Sequence, residues 1–570
     1  MSASGGSVES PGSQPGPRSG LGEHRALAVL GLLGAFLVVA IGVYRPAFGG
    51  PFLSDDSHWL AHNPYVQVLS AENLLLIAQP LAEPSFAIGN YSPVALLILG
   101  VEYQIFGQEV TGYHVVNVCL HALASALLVG LLLRSKLPPV AALLGGVFFL
   151  LQPANVEAVA WISQLKTTSA MVLGLGAVLI FSRHPLLATA LFALAMLAKP
   201  TAFVVLPFLA ISGRAGAERP RWTWLGVWLA LLAIYSIPEL RLQQQVGIVN
   251  PPEADLGMRV RSILAFAARY LVMAASSWGV STYHQPDLPG SWLDPWCLGG
   301  LGLLALLGWR TVWAVHRRRM EAAWWLWAAL SFAPISQVFP FIYPMADRYL
   351  YFVLPGLIGG VILAGRDLAR RPIPADSALA APLARGAVAV ALLILAFFAV
   401  RGHDRARIWT SSTKLFLDGA MNYPNGIEGS ILRALRAVRE GDRDEAIQAL
   451  QAAHTRGFYV FESLLSDPAL APLRGDPRFE ALIQELATEL IESRRAKPNT
   501  NLFDLPRLAE AHLLLGQVDE AIAVLDRAAA LRGSDQPFLR QRIAAMREYA
   551  EREQRKRARA AGSASGRAKP

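Results

Sequence analysis

The chain has 570 residues, 54% hydrophobic and only 16% charged, with a formal net charge of +9 and a mean hydropathy of +0.38. That is too apolar for a soluble globular protein of this size. The apolar runs are helix-length and lack period-two alternation, which argues against an outer-membrane barrel and for an all-α, multi-spanning membrane protein. Arginines fall in short loops between apolar runs and in the tail, so the basic charge reads as topology and no nucleic acid is expected as a partner. Cys119 and Cys297 supply neither a disulfide framework nor a thiolate metal site.

Residues 1–22, rich in Gly, Ser and Pro, cannot bury a core and are expected to be a disordered tail. The run Ala26 to Tyr44 follows His24 and Arg25 and is long enough to cross a bilayer. With no small-residue cleavage site after it, it is expected to be an uncleaved anchor with its N-terminus inside. Residues 45–111 then form a large external loop with Asp55, Asp56, Glu72, Glu83, Glu102 and Glu109 against Arg45. The apolar piece Val94 to Phe106 is short for a span and is expected along the membrane surface.

Further spans are expected at 113–133, 138–151 and 168–182, with Arg134, Lys136 and Arg183 facing inside. Lys199-Pro200 interrupts the run 185–212. Either that dipeptide is an external hairpin between two short spans with Arg214, Arg219 and Arg221 inside, or 185–212 is one kinked span and 262–280 crosses. Both give eleven spans, and the charge rule favours the first. His316 to Arg319 ends a span at 297–315 and Arg366 to Arg371 follows one at 350–364. Trp324 to Phe341 therefore runs outward, leaving Met345 to Tyr349 outside, and a last span at 386–400 exports the rest.

From Arg401 the composition turns to Arg, Glu, Ala and Leu with helical periodicity, a soluble domain expected over 403–550. Gly441-Asp442-Arg443-Asp444-Glu445-Ala446-Ile447-Gln448-Ala449-Leu450 is echoed by Gly516-Gln517-Val518-Asp519-Glu520-Ala521-Ile522-Ala523-Val524-Leu525. Each looks like the second half of a tetratricopeptide repeat. The offset of 75 residues is not a multiple of the usual period of about 34, so the array is interrupted. The tail from Arg552 is basic and low in complexity, expected to be a solvated end.

Phe52-Leu53-Ser54-Asp55-Asp56-Ser57 puts two adjacent carboxylates just beyond the first span, where a reacting group would meet water. The alternative is that Ser54 to Ser57 merely caps a helix containing His58, Trp59 and Leu60. Other phrases recur with it in order. They are Gly112 to His121, Pro153-Ala154-Asn155-Val156-Glu157 to Ile162, Ala198-Lys199-Pro200, Ala346-Asp347-Arg348-Tyr349-Leu350-Tyr351, and Trp409 to Phe416. Together they resemble the transmembrane and tetratricopeptide-repeat-containing family of O-mannosyltransferase-like proteins, within the C-type glycosyltransferase superfamily. Gln152, Asn155 and Ser92 stand where that family usually has His, His and Arg.

The resemblance implies sugar transfer, with inversion, from a polyprenyl-phosphate donor to a hydroxyl, with a protein acceptor recruited by the repeats. Such chemistry needs a base, cations for the departing phosphate, and a cleft open to lipid and water. Asp55 or Asp56 is the candidate base; Lys199, Arg348 and Lys166 are candidate phosphate binders; Glu157, Asp347, His114 and Tyr349 are supporting candidates. No cofactor is expected, although Asp55, Asp56 and Glu157 together have the donor chemistry for Mg²⁺ or Mn²⁺.

Blander roles exist for each: Lys199 as a snorkelling lysine, Asp347-Arg348 as a loop-closing ion pair, Trp161 near Glu157 as an interfacial anchor, and His114 and His121 as packing residues. The expected setting is a bacterial inner membrane, N-terminus cytoplasmic and repeats periplasmic. The competing function is a non-catalytic membrane scaffold binding envelope partners through its repeats. A transporter is disfavoured because no inverted repeat of broken helices is evident.

Overall fold

The computed structural model describes residues 20–212, 222–246, 255–338, 344–369, 380–495, 504–531 and 537–566, and every regular element among them is helical. The expected inside positions of Arg214, Arg219, Arg221, Arg370 and Arg371, and the tail before residue 20, lie outside the described residues. The principal helices of the first part are α1 (Gly20–Tyr44), α2 (Pro93–Phe106), α3 (Val110–Arg134), α4 (Pro139–Leu151), α5 (Asn155–Ala160), α6 (Leu165–Ile180) and α7 (Pro185–Ala198). After them come α8 (Trp222–Val246), α9 (Leu256–Ser276), α10 (Pro295–His316), α11 (Glu321–Phe332), α12 (Leu350–Ala369) and α13 (Ala380–Ala406).

Among the described residues, seven segments are long and apolar enough to cross a membrane: Leu27–Ala47, Val110–Arg134, Ile162–Ile180, Trp222–Gln245, Pro295–His316, Asp347–Leu368 and Arg385–Thr410. Four shorter apolar helices accompany them: Pro93–Phe106, Pro139–Leu151, Pro185–Ala198 and Pro200–Ile211. The chain is a multi-pass membrane protein. In α3 and α6 more than half of the apolar window is buried by other helices, whereas α10 and α13 are largely uncovered. Their exposed leucines, including Leu298, Leu301, Leu306, Leu392 and Leu393, are what lipid would solvate.

Two expectations differ from what is observed, and one alternative is decided. The run expected as a span at 324–341 begins earlier, at Glu321, and its α-helix ends at Phe332. Those 12 residues reach only about 18 Å, short of the hydrocarbon thickness, so α11 is a buried part-span packed along α12. The chain breaks at Lys199, whose backbone is extended (φ −157°, ψ 125°), so 185–212 is two short helical pieces, as in the favoured arrangement, and not one kinked helix. The basic stretch after Arg552 continues a long helix, Pro537–Gly566. Pairs such as Arg552–Glu548 and Lys556–Glu553 line its surface and favour helix over coil.

Close helix packing depends on missing side chains. A Cβ on Gly300 of α10 would stand 1.9 Å from the Leu264 carbonyl oxygen of α9, and one on Gly359 of α12 would stand 2.0 Å from the Trp324 ring of α11. Glycine lets these backbones approach where no hydrophobic force distinguishes helix from lipid.

The second part contains α14 (Ser412–Asn422), α15 (Ile427–Glu440), α16 (Arg443–Thr455), α17 (Pro477–Arg495), α18 (Asp504–Leu514), α19 (Val518–Ala530) and α20 (Pro537–Gly566). α15 pairs with α16 and α18 with α19. The two echoed phrases fall on the turns of these hairpins, where Gly441 (φ 83°) and Gly516 (φ 71°) adopt the left-handed conformation. This part has its own apolar core, including Ile447, Leu450, Phe461, Phe479, Leu482, Leu486 and Leu525.

Candidate functional site

The carboxylate pair of Asp55 and Asp56 follows Ser54, which is held at φ 51°. That turn sends the two side chains different ways. Asp56 is 1% exposed; its Oδ2 accepts from Leu53 N at 3.0 Å and its Oδ1 from Ser163 N at 2.8 Å. Trp161 Nε1 donates to Leu53 O at 3.2 Å, so the first loop is pinned to the turn between α5 and α6. Burial pushes the Asp56 carboxyl up to about 7, against the two backbone N–H groups that pull it down. Asp55 is exposed, and among the described residues its carboxylate makes no hydrogen bond or ion pair.

The cations come from three other places. Lys166, in the first turn of α6, stands 3.9 Å from the Trp59 ring centroid. Lys199, at the break after α7, donates to Thr167 Oγ1 at 2.8 Å. Arg348 lies in the Asp347–Tyr349 turn that launches α12. Its guanidinium pairs with Glu157 Oε1, its backbone N–H donates to Glu157 Oε2 at 2.8 Å, and it lies 5.2 Å from the Trp161 ring. These groups converge: Lys166 feels Asp55 and Arg348, Lys199 feels Lys166, Arg348 and Glu157, and Arg348 feels Asp55.

One end of the bundle therefore carries an exposed carboxylate near one lysine and an arginine already balanced by Glu157, with a second lysine, Lys199, next to those two cations. At the far end of α12, about 30 Å away along a helix of 20 residues, Arg310 pairs with Glu321 and Arg319 with Asp367 at 2.6 Å each. There, too, Arg366 donates to Lys136 O and Arg134 to Leu179 O.

The other sequence candidates are packed around this centre. His114 Nε2 is 3.2 Å from Gly50 O, and the ring is buried. His121 lies between Tyr351 Oη and Leu150 O. Both histidines tie α3 to neighbouring backbone or helices. Asp347 faces away from Glu157, toward His284. Tyr349 lies within 5.1 Å of the Arg348 guanidinium.

Gln152 and Asn155 are wholly buried at the turn between α4 and α5. There they donate to Ala274 O and Phe149 O, which is scaffold work. For a divalent ion the carboxylates fit poorly. Both oxygens of Asp56 and of Glu157 already accept from N–H groups, and among the described residues the three acids do not gather as a ligand group.

Glu239 of α8 is a site neighbour that the sequence reading passed over. Its Oε2 accepts from Tyr91 N at 3.0 Å and its Oε1 from Gln243 Nε2 at 2.8 Å, and Lys166 lies within its electrostatic reach. Its sequence signal was an acid in an apolar helix, one residue after Pro238. Trp409 stacks on Trp161, centroids 5.7 Å apart, and so brings the start of the second part of the chain against the site.

The chain is 33% identical over 196 residues to the Protein O-mannosyl-transferase Tmtc1 of Drosophila melanogaster. The match covers 32% of this chain and 22% of that protein. No protein family model and no solved structure matches. The likeness supports a glycosyltransferase-like function.

Proposed function

We propose that this protein transfers a sugar, a mannose-like hexose, from a polyprenyl-phosphate donor to an acceptor hydroxyl on a protein at the outer face of the membrane. The observation that carries the reading is the gathering of Lys166 and Arg348 near the open carboxylate of Asp55, with Lys199 beside both cations, at one end of the bundle. The partial likeness to a protein O-mannosyl-transferase points the same way.

Asp55, unlike Asp56, keeps its carboxylate open to an acceptor and takes the proton as the hydroxyl oxygen bonds to the anomeric carbon. The bond from that carbon to the phosphate oxygen breaks in the same displacement. The lipid phosphate leaves against Lys166, Lys199 and the outer edge of Arg348, where charge-assisted hydrogen bonds are strongest as negative charge builds. Glu157 and Asp56 hold the arginine and the loop in register. The orientation rests on the far-end arginines, which the charge rule puts on the cytoplasmic side. The helical second part would then lie outside and present the acceptor.

The test is transfer from a radiolabelled polyprenyl-phosphate sugar by the purified protein in nanodiscs. Wild-type transfer abolished by Asp55→Asn supports the reading. No transfer by the wild type from any polyprenyl-phosphate hexose, with a fully folded protein, would leave a scaffold in its place.

A further inference from the structure

The turn that carries Arg348 is held from two sides. On one side is Glu157. On the other is a buried polar chain that begins in the helical second part. Asp347 Oδ1 accepts from His284 Nε2 at 2.7 Å and from Ser281 N at 3.2 Å, and Arg405 Nη2 lies 3.7 Å from Asp347 Oδ2.

Arg405, near the end of α13, also pairs with Asp418 Oδ1. Asp418 sits on α14, and its Oδ2 accepts from Thr282 N at 2.9 Å and Thr282 Oγ1 at 3.1 Å. Tyr423, just beyond α14, reaches His284 Nδ1 through its hydroxyl at 2.9 Å. The side chains of Asp347, His284, Arg405 and Asp418 are 2%, 0%, 7% and 13% exposed, so these contacts are shielded from water and salt.

We infer that Asp418, Arg405 and His284 are positioning residues that couple the first helix of the helical part to the phosphate-binding arginine. The inference rests on the role proposed above for Arg348. Asp347 and Arg348 are consecutive in one 3₁₀ turn, so a shift of Asp347 moves the Arg348 backbone. Among the described residues, the side-chain route from Asp418 to that turn runs through Arg405, while Tyr423 supplies a second strut through His284. Interior polar networks have few alternative geometries because each unpaired member is costly. Movement of α14, where an acceptor held by the helical part would exert its pull, is therefore transmitted to the guanidinium. Small displacements of a group that stabilises developing charge cost rate more than affinity.

The experiment uses the full chain in nanodiscs with Asp418→Asn, Arg405→Gln and His284→Gln. Two readouts are taken: transfer kinetics, and backbone hydrogen exchange over residues 346–350. Arg456→Ala, which removes an exposed pair with Asp287, is the control at the same junction. The expected result is a kcat about tenfold lower in each network variant, with KM for the lipid donor changed less than about twofold. Exchange over 346–350 is faster in those variants and unchanged in the control, and Asp418→Glu restores kcat.

Unchanged exchange in folded network variants overturns the coupling, whatever the activity. Absence of transfer in the wild type sinks the catalytic reading instead, and the exchange data still decide whether the two parts are coupled.

Discussion

Glu157 holds Arg348 twice, through the guanidinium and through the backbone N–H at 2.8 Å. The two residues are 191 positions apart, and the contact closes the bundle between α5 and the start of α12. Glu157→Ala leaves a largely buried guanidinium without its partner and a backbone donor unmade. A loss of about 3–5 kcal/mol is expected, read as a lower melting midpoint in detergent. Glu157→Gln, which keeps one acceptor oxygen, loses less.

Asp55 and Asp56 separate by what their variants damage. Asp55→Asn leaves melting unchanged, because the exposed carboxylate holds nothing in place, and lowers transfer about 10²–10⁴-fold, the range for a removed general base. Asp56→Asn lowers melting, since an amide cannot accept from both Leu53 N and Ser163 N without turning its NH₂ toward one donor. Equal melting losses in both variants would contradict this division.

Asp56 also makes a pH prediction. Its folded carboxyl is pushed up to about 7, above the ordinary value near 3.9, so between these limits the folded protein binds more protons than the unfolded chain. Its contribution to stability is full below about pH 4 and is lost as pH rises through about 7. The melting midpoint of Asp56→Asn, compared with wild type across that window, should lack this component of the slope.

Lys199 donates a hydrogen bond to Thr167 Oγ1 at 2.8 Å. Lys199→Gln is expected to weaken binding of a short-chain polyprenyl phosphate about tenfold, the value of one charge-assisted hydrogen bond. Thr167→Val, which only frees the ammonium, should weaken it less. Titration calorimetry in detergent distinguishes the two.

Gly300→Ala brings a methyl to 1.9 Å from the Leu264 carbonyl oxygen. Backbone cannot move aside as a side-chain tip can, so α9 and α10 must part. A destabilisation of about 1–3 kcal/mol or more is expected. Gly302→Ala, on the same helix with open space around it, serves as the neutral comparison for thermal melting.

The helical class and the membrane character were legible in the sequence because apolar runs report burial directly. The phrases around Asp55, Glu157, Lys199 and Arg348 were legible because each is a polar interruption at the end of such a run. What escaped was pairing. Nothing local in the sequence says that Asp56 turns inward while Asp55 turns out, since that depends on Ser54 adopting a positive φ. His284, Arg405 and Asp418 acquire meaning only through Asp347, more than sixty residues from the first of them, and no periodicity reports a contact of that kind. The run 324–341 misled because three tryptophans, Trp324, Trp325 and Trp327, are buried against α12 rather than facing lipid, and hydropathy cannot separate those environments.

The stack of Trp161 on Trp409 has a bearing on synthesis. Amino acids joined early by the ribosome wait for ones joined much later before the candidate site has its final walls. A nascent polypeptide still short of Asp418 would already carry its lysines, Asp55 and the Glu157–Arg348 pair, yet Arg405 would lack its Asp418 partner. The walls around Arg348 are therefore completed by residues translated after α13.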